Sequence, residues 1–107
     1  MALFQVQLGD GTGSPAATTV FDPTAASAVT TLFLCNTHTS TITVTLYLIA
    51  GGNAPTDANA IWKDISIAAK DTFVMNNERL ILAHTDFIKG IASLASKVTI
   101  TGTYTTI

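Results

Sequence analysis

Thr41-Ile42-Thr43-Val44-Thr45-Leu46-Tyr47-Leu48-Ile49 is the stretch whose reading decides the fold. Thr41, Thr43, Thr45 and Tyr47 fall on one parity and Ile42, Val44, Leu46 and Leu48 on the other, the period of two expected of a strand with one face in a core. A helix is disfavoured here, because β-branched side chains at nearly every position would lose rotamer freedom against each preceding turn. Immediately upstream, Val29–Asn36 carries apolar side chains on both parities and reads as a central strand. That reading puts Cys35 on a face with Val29, Thr31 and Phe33 as a small buried hydrophobe, since no His or carboxylate pattern around it supports a nucleophile. The polar Asn36-Thr37-His38-Thr39-Ser40 between the two strands is short enough for a hairpin connection, with His38 exposed in it.

The alternation recurs toward both ends. Phe4, Val6 and Leu8 oppose Gln5 and Gln7 in a first strand, which Gly9-Asp10-Gly11-Thr12-Gly13-Ser14-Pro15 terminates. Glycine spacing in that turn lacks the Gly-Lys-Ser/Thr and the strand–loop–helix context of a phosphate loop. Ala17–Phe21 reads as a short edge strand stopped by Asp22-Pro23. After the opening stretch, 50–60 is the longest breaker-rich loop. Its Asn53, Asp57 and Asn59 mimic spaced oxygen ligands but lack the acidic positions and terminal Glu of a calcium loop. Ile61–Ile67 alternates again, with Ile61, Ile65 and Ile67 inward, Lys63 an exception on that face, and Trp62 outward beside Asp64 and Ser66. Thr72–Met75 follows a turn at Ala68–Asp71, and Asn76–Arg79 leads into Leu80–Ala83. The segment 81–95 fits one helical face through Ile81, His84, Ile88, Ile91 and Ala95, but Gly90 and the β-branched residues favour two strands broken at His84–Asp86. Val98, Ile100 and Tyr104 oppose Thr99, Thr101, Thr103 and Thr105 in the last strand, where Gly102 permits a bulge or a close approach.

Composition narrows the function classes. With 107 residues the chain is expected to be a single domain, 1–107, whose first 28 residues form an arm or edge strands. Only 11% of residues are charged, against roughly 25% in ordinary soluble domains. A surface so short of charge predicts assembly into something larger. The five basic residues are scattered, which argues against direct nucleic-acid binding. No apolar run approaches the roughly 20 residues of a membrane helix, and Met1–Gln5 lacks the basic-then-apolar pattern of a secretory leader. Cys35 is the only cysteine, so no intrachain disulfide forms. The acidic residues and His38 and His84 occur mostly singly in turns, without the pairing that hydrolysis or zinc binding requires. The predicted chain is therefore a non-enzyme with no catalytic, metal or cofactor residues.

About eight short strands separated by compact turns predict an all-β, antiparallel β-sandwich, jelly-roll-like in arrangement. Leu32-Phe33-Leu34-Cys35-Asn36-Thr37, Thr41–Tyr47, Ile61–Thr72, Arg79–Leu82, Thr85–Ile88, Ile91–Ser93 and Val98–Gly102 together resemble the small β-sandwich virion proteins of tailed bacteriophages. The resemblance spans about Val29 to Thr105; Thr85 departs from it, standing where a glycine is common. It implies a capsid cement or decoration protein, or alternatively a neck or tail component, without catalytic residues. It also implies assembly in the virion after synthesis in the host cytoplasm, through self-association as a trimer or ring and contact with capsid or neck/tail proteins. Trp62, Phe21, Tyr47, Asn53, Asp57 and Asn59 are the expected interface residues. A carbohydrate-binding module with Trp62, Tyr47 and Tyr104 as its platform is the non-structural alternative.

Overall fold

The computed structural model describes residues 2–12, 17–51, 53–76 and 80–107. These contain nine strands: β1 (Ala2–Gln7), β2 (Thr18–Phe21), β3 (Ser27–Asn36), β4 (Ile42–Ile49), β5 (Ala60–Ile67), β6 (Thr72–Met75), β7 (Leu80–Leu82), β8 (Phe87–Ala92) and β9 (Val98–Thr106). A 3₁₀ turn at Asp57–Asn59 precedes β5. The segment with helical spacing is two strands, β7 and β8, separated at Ala83–Asp86. Gly13–Pro15 of the first turn and Asn77–Arg79 before β7 lie outside the described residues.

The strands form two antiparallel sheets. One has the order β1-β9-β3-β6, with β7 also on β3, and the other the order β2-β8-β4-β5. β6 pairs with Leu32–Cys35 and β7 with Ser27–Val29, so the two short strands share one flank of β3 end to end. β1 and the β6/β7 pair are the edges of the first sheet, and β2 and β5 those of the second. The inward parities meet in a core of Leu8, Val20, Phe21, Val29, Leu32, Leu34, Ile42, Val44, Leu46, Ile67, Leu82, Ile88, Ala92, Val98 and Ile100. Two glycines serve this packing. Gly102, between Phe4 on β1 and Leu32 on β3, has the Phe4 ring where its Cβ would lie. At Gly90 a Cβ would stand 2.8 Å from Leu46 Cδ2 and 3.0 Å from Leu8 Cδ2, so the missing side chain makes room for two core leucines.

Three local irregularities change which face a residue takes, and each corrects an expectation from simple alternation. On β3, Val29 stands opposite Tyr104 and Thr31 opposite Thr103, leaving Thr30 as the extra residue of a bulge. Val29 is therefore in the core while Thr31, Phe33 and Cys35 face outward. Cys35 is half-buried on the outer face between Thr72 and Thr99, and is not a core residue.

On β5, Val44 pairs with Ile65 but Leu46 pairs with Trp62, so Lys63 and Asp64 together oppose Thr45. Asp64 takes a left-handed backbone conformation with φ of 52°, a conformation that short polar side chains tolerate through local hydrogen bonds. The buried Thr45 hydroxyl fastens the bulge, accepting from the Asp64 N–H at 3.0 Å and donating to its carboxylate at 3.2 Å. Because a bulge shifts the period by one residue, Lys63 is exposed and Trp62 turns toward the core.

The third irregularity lies in β4 itself. Thr45, Tyr47 and Ile49 are on its outward parity yet are buried. The 3₁₀ turn runs directly into β5 at Ala60, the partner of Tyr47, and lies close to β4. The outward residues of the second half of β4 are therefore buried although their parity is that of a solvent face.

One polar side chain is fully enclosed and ties the connections together. Asn36 Nδ2 donates to the carbonyls of Ser40 (3.0 Å), Ile67 (2.9 Å) and Ala68 (3.2 Å), and Asn36 Oδ1 accepts from the His38 N–H at 2.8 Å. β3 and β4 belong to different sheets, so Thr37–Thr41 is a crossing between sheets and not the hairpin turn its length suggests. Asn36 ties this crossing to the start of the β5–β6 turn, with both Nδ2 hydrogens donated and Oδ1 accepting once.

Candidate interaction face

The predicted interface residues are not brought together. Phe21 is 7% exposed and stacks on Phe4, with ring centroids 4.7 Å apart, and against Tyr104 at 4.8 Å. Trp62 packs on the core rim, its ring edge-to-face with Phe73 at 5.1 Å. Tyr47 is 8% exposed on the outer side of the other sheet. These rings are engaged inside the chain, and Trp62, Tyr47 and Tyr104 do not share a face on which a sugar could stack.

In the loop, Asn59 has a local task. Its Oδ1 accepts from the Thr56 N–H at 3.0 Å and its Nδ2 donates to the Ala54 carbonyl at 2.8 Å, completing a capping box with Thr56. Asp57 pairs with Lys63 at 3.0 Å; the carboxylate, by its hydrogen bond first and its charge second, raises the Lys63 pKa. Both groups are solvent-exposed, so the pair adds little to stability. Asn53 is exposed, with its N–H on the Ala50 carbonyl.

Asp10, in the first turn, accepts from the Thr12 hydroxyl and from the Thr12 N–H, the latter at 3.0 Å. These two bonds, the hydroxyl first, hold its carboxyl below the ordinary value of 3.8. Asp86 has a similar local role, accepting from Gly51 N–H at 3.1 Å and Ala83 N–H at 2.9 Å. Among the described residues no three His, Cys, Asp or Glu side chains converge on a common point, and no cleft of ligand size is present.

The outer face of the five-stranded sheet is different in kind. β1, β3, β6, β7 and β9 contain no charged residue, whereas the other sheet has Lys63 and Asp64 on β5 and Lys89 on β8. Four large apolar side chains stand on this face: Leu3 (64% exposed), Ile81 (60%), Val74 (44%) and Phe33 (40%). Strand register places Gln5, Thr101, Phe33 and Val74 in one row across β1, β9, β3 and β6. Leu3, Thr103 and Thr31 form the row on one side, and Gln7, Thr99, Cys35 and Thr72 the row on the other.

Part of the polar surface of this face is paired within the chain. Gln5 Nε2 donates to Thr101 Oγ1 at 2.8 Å, and the Thr30 and Thr103 hydroxyls share a hydrogen bond of 2.7 Å. Those pairs lower the cost of drying the centre of the face, since an unpaired buried donor or acceptor is what makes a covered polar surface costly.

Sequence reasoning passed over Leu3, Phe33, Val74 and Ile81. The signal that identifies them is the distribution of charge along the chain, which empties the strands of one sheet and not of the other. Comparison with protein-family models, with curated proteins and with solved structures returned no match.

Proposed function

We propose that the chain is a non-enzymatic structural protein of a virion, a capsid cement or decoration protein that acts by covering and joining other subunits through the outer face of its five-stranded sheet. The observation that carries this reading is the outer face of five strands that contain no charged residue, on which Leu3, Phe33, Val74 and Ile81 stand exposed. Soluble monomers keep contiguous apolar patches small, and larger ones mark protein interaction sites. Sheet edges are ordinarily protected with lysine or other charges, and β1, β6 and β7 carry none.

The strand order supports reading the sandwich as a jelly roll. With β7 set aside, β1 pairs with β9, β2 with β8, β3 with β6 and β4 with β5, the pattern of one long hairpin rolled up. The β9–β3 and β8–β4 pairings then complete the two sheets. Viral capsid and lectin domains use this architecture, an analogy at the level of fold that agrees with the sequence resemblance to phage virion proteins. Added subunits that bind only the assembled shell stabilise it by mass action.

The test is binding to phage particles that lack the protein. Saturable occupancy at a fixed copy number, abolished by Phe33→Lys in a variant of unchanged thermal stability, is the expected result; location on head, neck or tail then separates cement from neck and tail roles. Particles that take up neither protein would overturn the virion reading.

A further inference from the structure

We infer that the occupant of this outer face, in the absence of any particle, is the same face of a second copy, packed sheet on sheet about a two-fold axis. The inference rests on reading that face as the assembly surface and goes further by naming what covers it.

Three features select a second copy. The first is charge. A two-fold contact sets a patch against itself, and a charge near the axis then meets its own copy. The five strands carry no charged residue, so strand against strand sets no charge against its own copy. By the same token the face offers no pattern of charge by which a different protein would be chosen.

The second feature is shape. Sheets have one hand of twist, and two sheets of equal twist pack face to face with their strands within about 30° of each other, roughly 10 Å apart. Two copies of one sheet meet that condition automatically, with Phe33 and its row neighbour Thr101 on the two central strands at the middle of the contact.

Area is the third. Four strands across, at about 4.8 Å each, and about 30 Å along the longest strands give a footprint on the order of 570 Å² per copy. A pair then covers on the order of 1,100 Å², which clears the roughly 1,000 Å² expected of a specific interface. Two of the hydroxyls that would be dried, those of Thr101 and Thr103, already have partners within the chain.

Sedimentation velocity over a wide concentration range, on the full chain without particles, tests the inference. The expected species is reversible and has twice the 11.2 kDa mass of the chain. Phe33→Lys and Thr101→Lys, neighbours in the central row, should each weaken it by about a hundredfold or more, the size of a central hot-spot loss counted in both copies. Circular dichroism and thermal melting identify which of the two variants keep the fold, and the comparison uses those.

The cysteine supplies an independent readout, since Cys35 lies on the same face one row away. Its reaction with a maleimide should slow as the dimer forms. A monomer at all concentrations overturns the inference; if that monomer still occupies particles through the same face, the proposed function stands without it. A dimer that survives both lysine variants, or that leaves Cys35 as reactive as in the monomer, places the contact elsewhere and also overturns it. A dimer with the expected behaviour that ignores particles upholds the inference and refutes the virion reading.

Discussion

Gly102→Ala is the most informative single perturbation of the fold. The residue sits mid-strand on β9 between Phe4 and Leu32, and an added Cβ would lie 2.6 Å from Phe4 Cε1, closer still to Phe4 Cζ, and 2.9 Å from Leu32 Cδ2. The Phe4 ring cannot simply move aside, because it is stacked on Phe21 at 4.7 Å with an interplanar angle of 25°. Overpacking of this kind costs about 1–3 kcal/mol, and disturbing the aromatic pair adds about 0.5–1.5 kcal/mol. The stiffer unfolded chain returns about 0.4–1 kcal/mol. The net expectation is a loss of about 2–3 kcal/mol in urea unfolding, or a fall in Tm on the order of 10–20 °C for a chain of this size. In a Phe4→Ala background the same substitution meets only the flexible end of Leu32 and should cost less than about 1 kcal/mol, a coupling of roughly 2 kcal/mol between neighbours. Equal costs in the two backgrounds would refute the account, because the Phe4 ring would then not be what the glycine accommodates.

The remaining predictions concern the bulge, the buried amide and the first turn. Trp62→Ala should lower the stability of the isolated chain by about 2–4 kcal/mol in urea unfolding, because the ring packs on the core rim and on Phe73; an unchanged unfolding midpoint would return Trp62 to the surface. Asn36→Asp should destabilise by about 2–4 kcal/mol at neutral pH, since a carboxylate would face the carbonyls of Ser40, Ile67 and Ala68 with no proton to donate. Those oxygens raise the folded-state pKa of the introduced acid, so the penalty should shrink as the pH falls toward 4 or so, near the ordinary Asp value; a loss independent of pH would contradict it. The Asp10 carboxyl should titrate below 3.8 by NMR, and Thr12→Val should bring it back toward that value. Its folded-state pKa is depressed, so its small contribution to stability is present above the unfolded value and disappears as the pH drops through the folded one.

Strand identity was legible because most strands alternate cleanly, and because Pro, Gly and Asn/Asp clusters mark the turns between them. Which face each residue takes was legible only as far as the next bulge. Thr30 and the Lys63–Asp64 pair each insert one residue, and after an insertion every side chain along the strand changes sides. Trp62 and Cys35 changed places with their expected roles for that reason alone. Tyr47 was misjudged differently: its strand alternates correctly, yet its outward side is buried, and burial of a strand's outer side leaves no mark in a local period. Phe21 was expected as an interface residue, yet it is buried against Phe4 and Tyr104, which come from the two ends of the chain. The candidate face shows the same limit. A strand with apolar residues on both parities reads as buried on both sides, and β3 has Phe33 on a side that this chain leaves open.

The central claim is that the outer face of the five-stranded sheet is where this protein joins others, and the accessibility of Cys35 during assembly tests it most directly. The thiol is unique in the sequence and lies between Thr72 and Thr99 on that face, half-buried in the isolated chain. Measured as a maleimide labelling rate, it should fall about tenfold or more on assembly, as expected when a contact excludes water from its centre. A rate that is the same for the free chain and for the assembled one would contradict the claim, because the face would then be open in both.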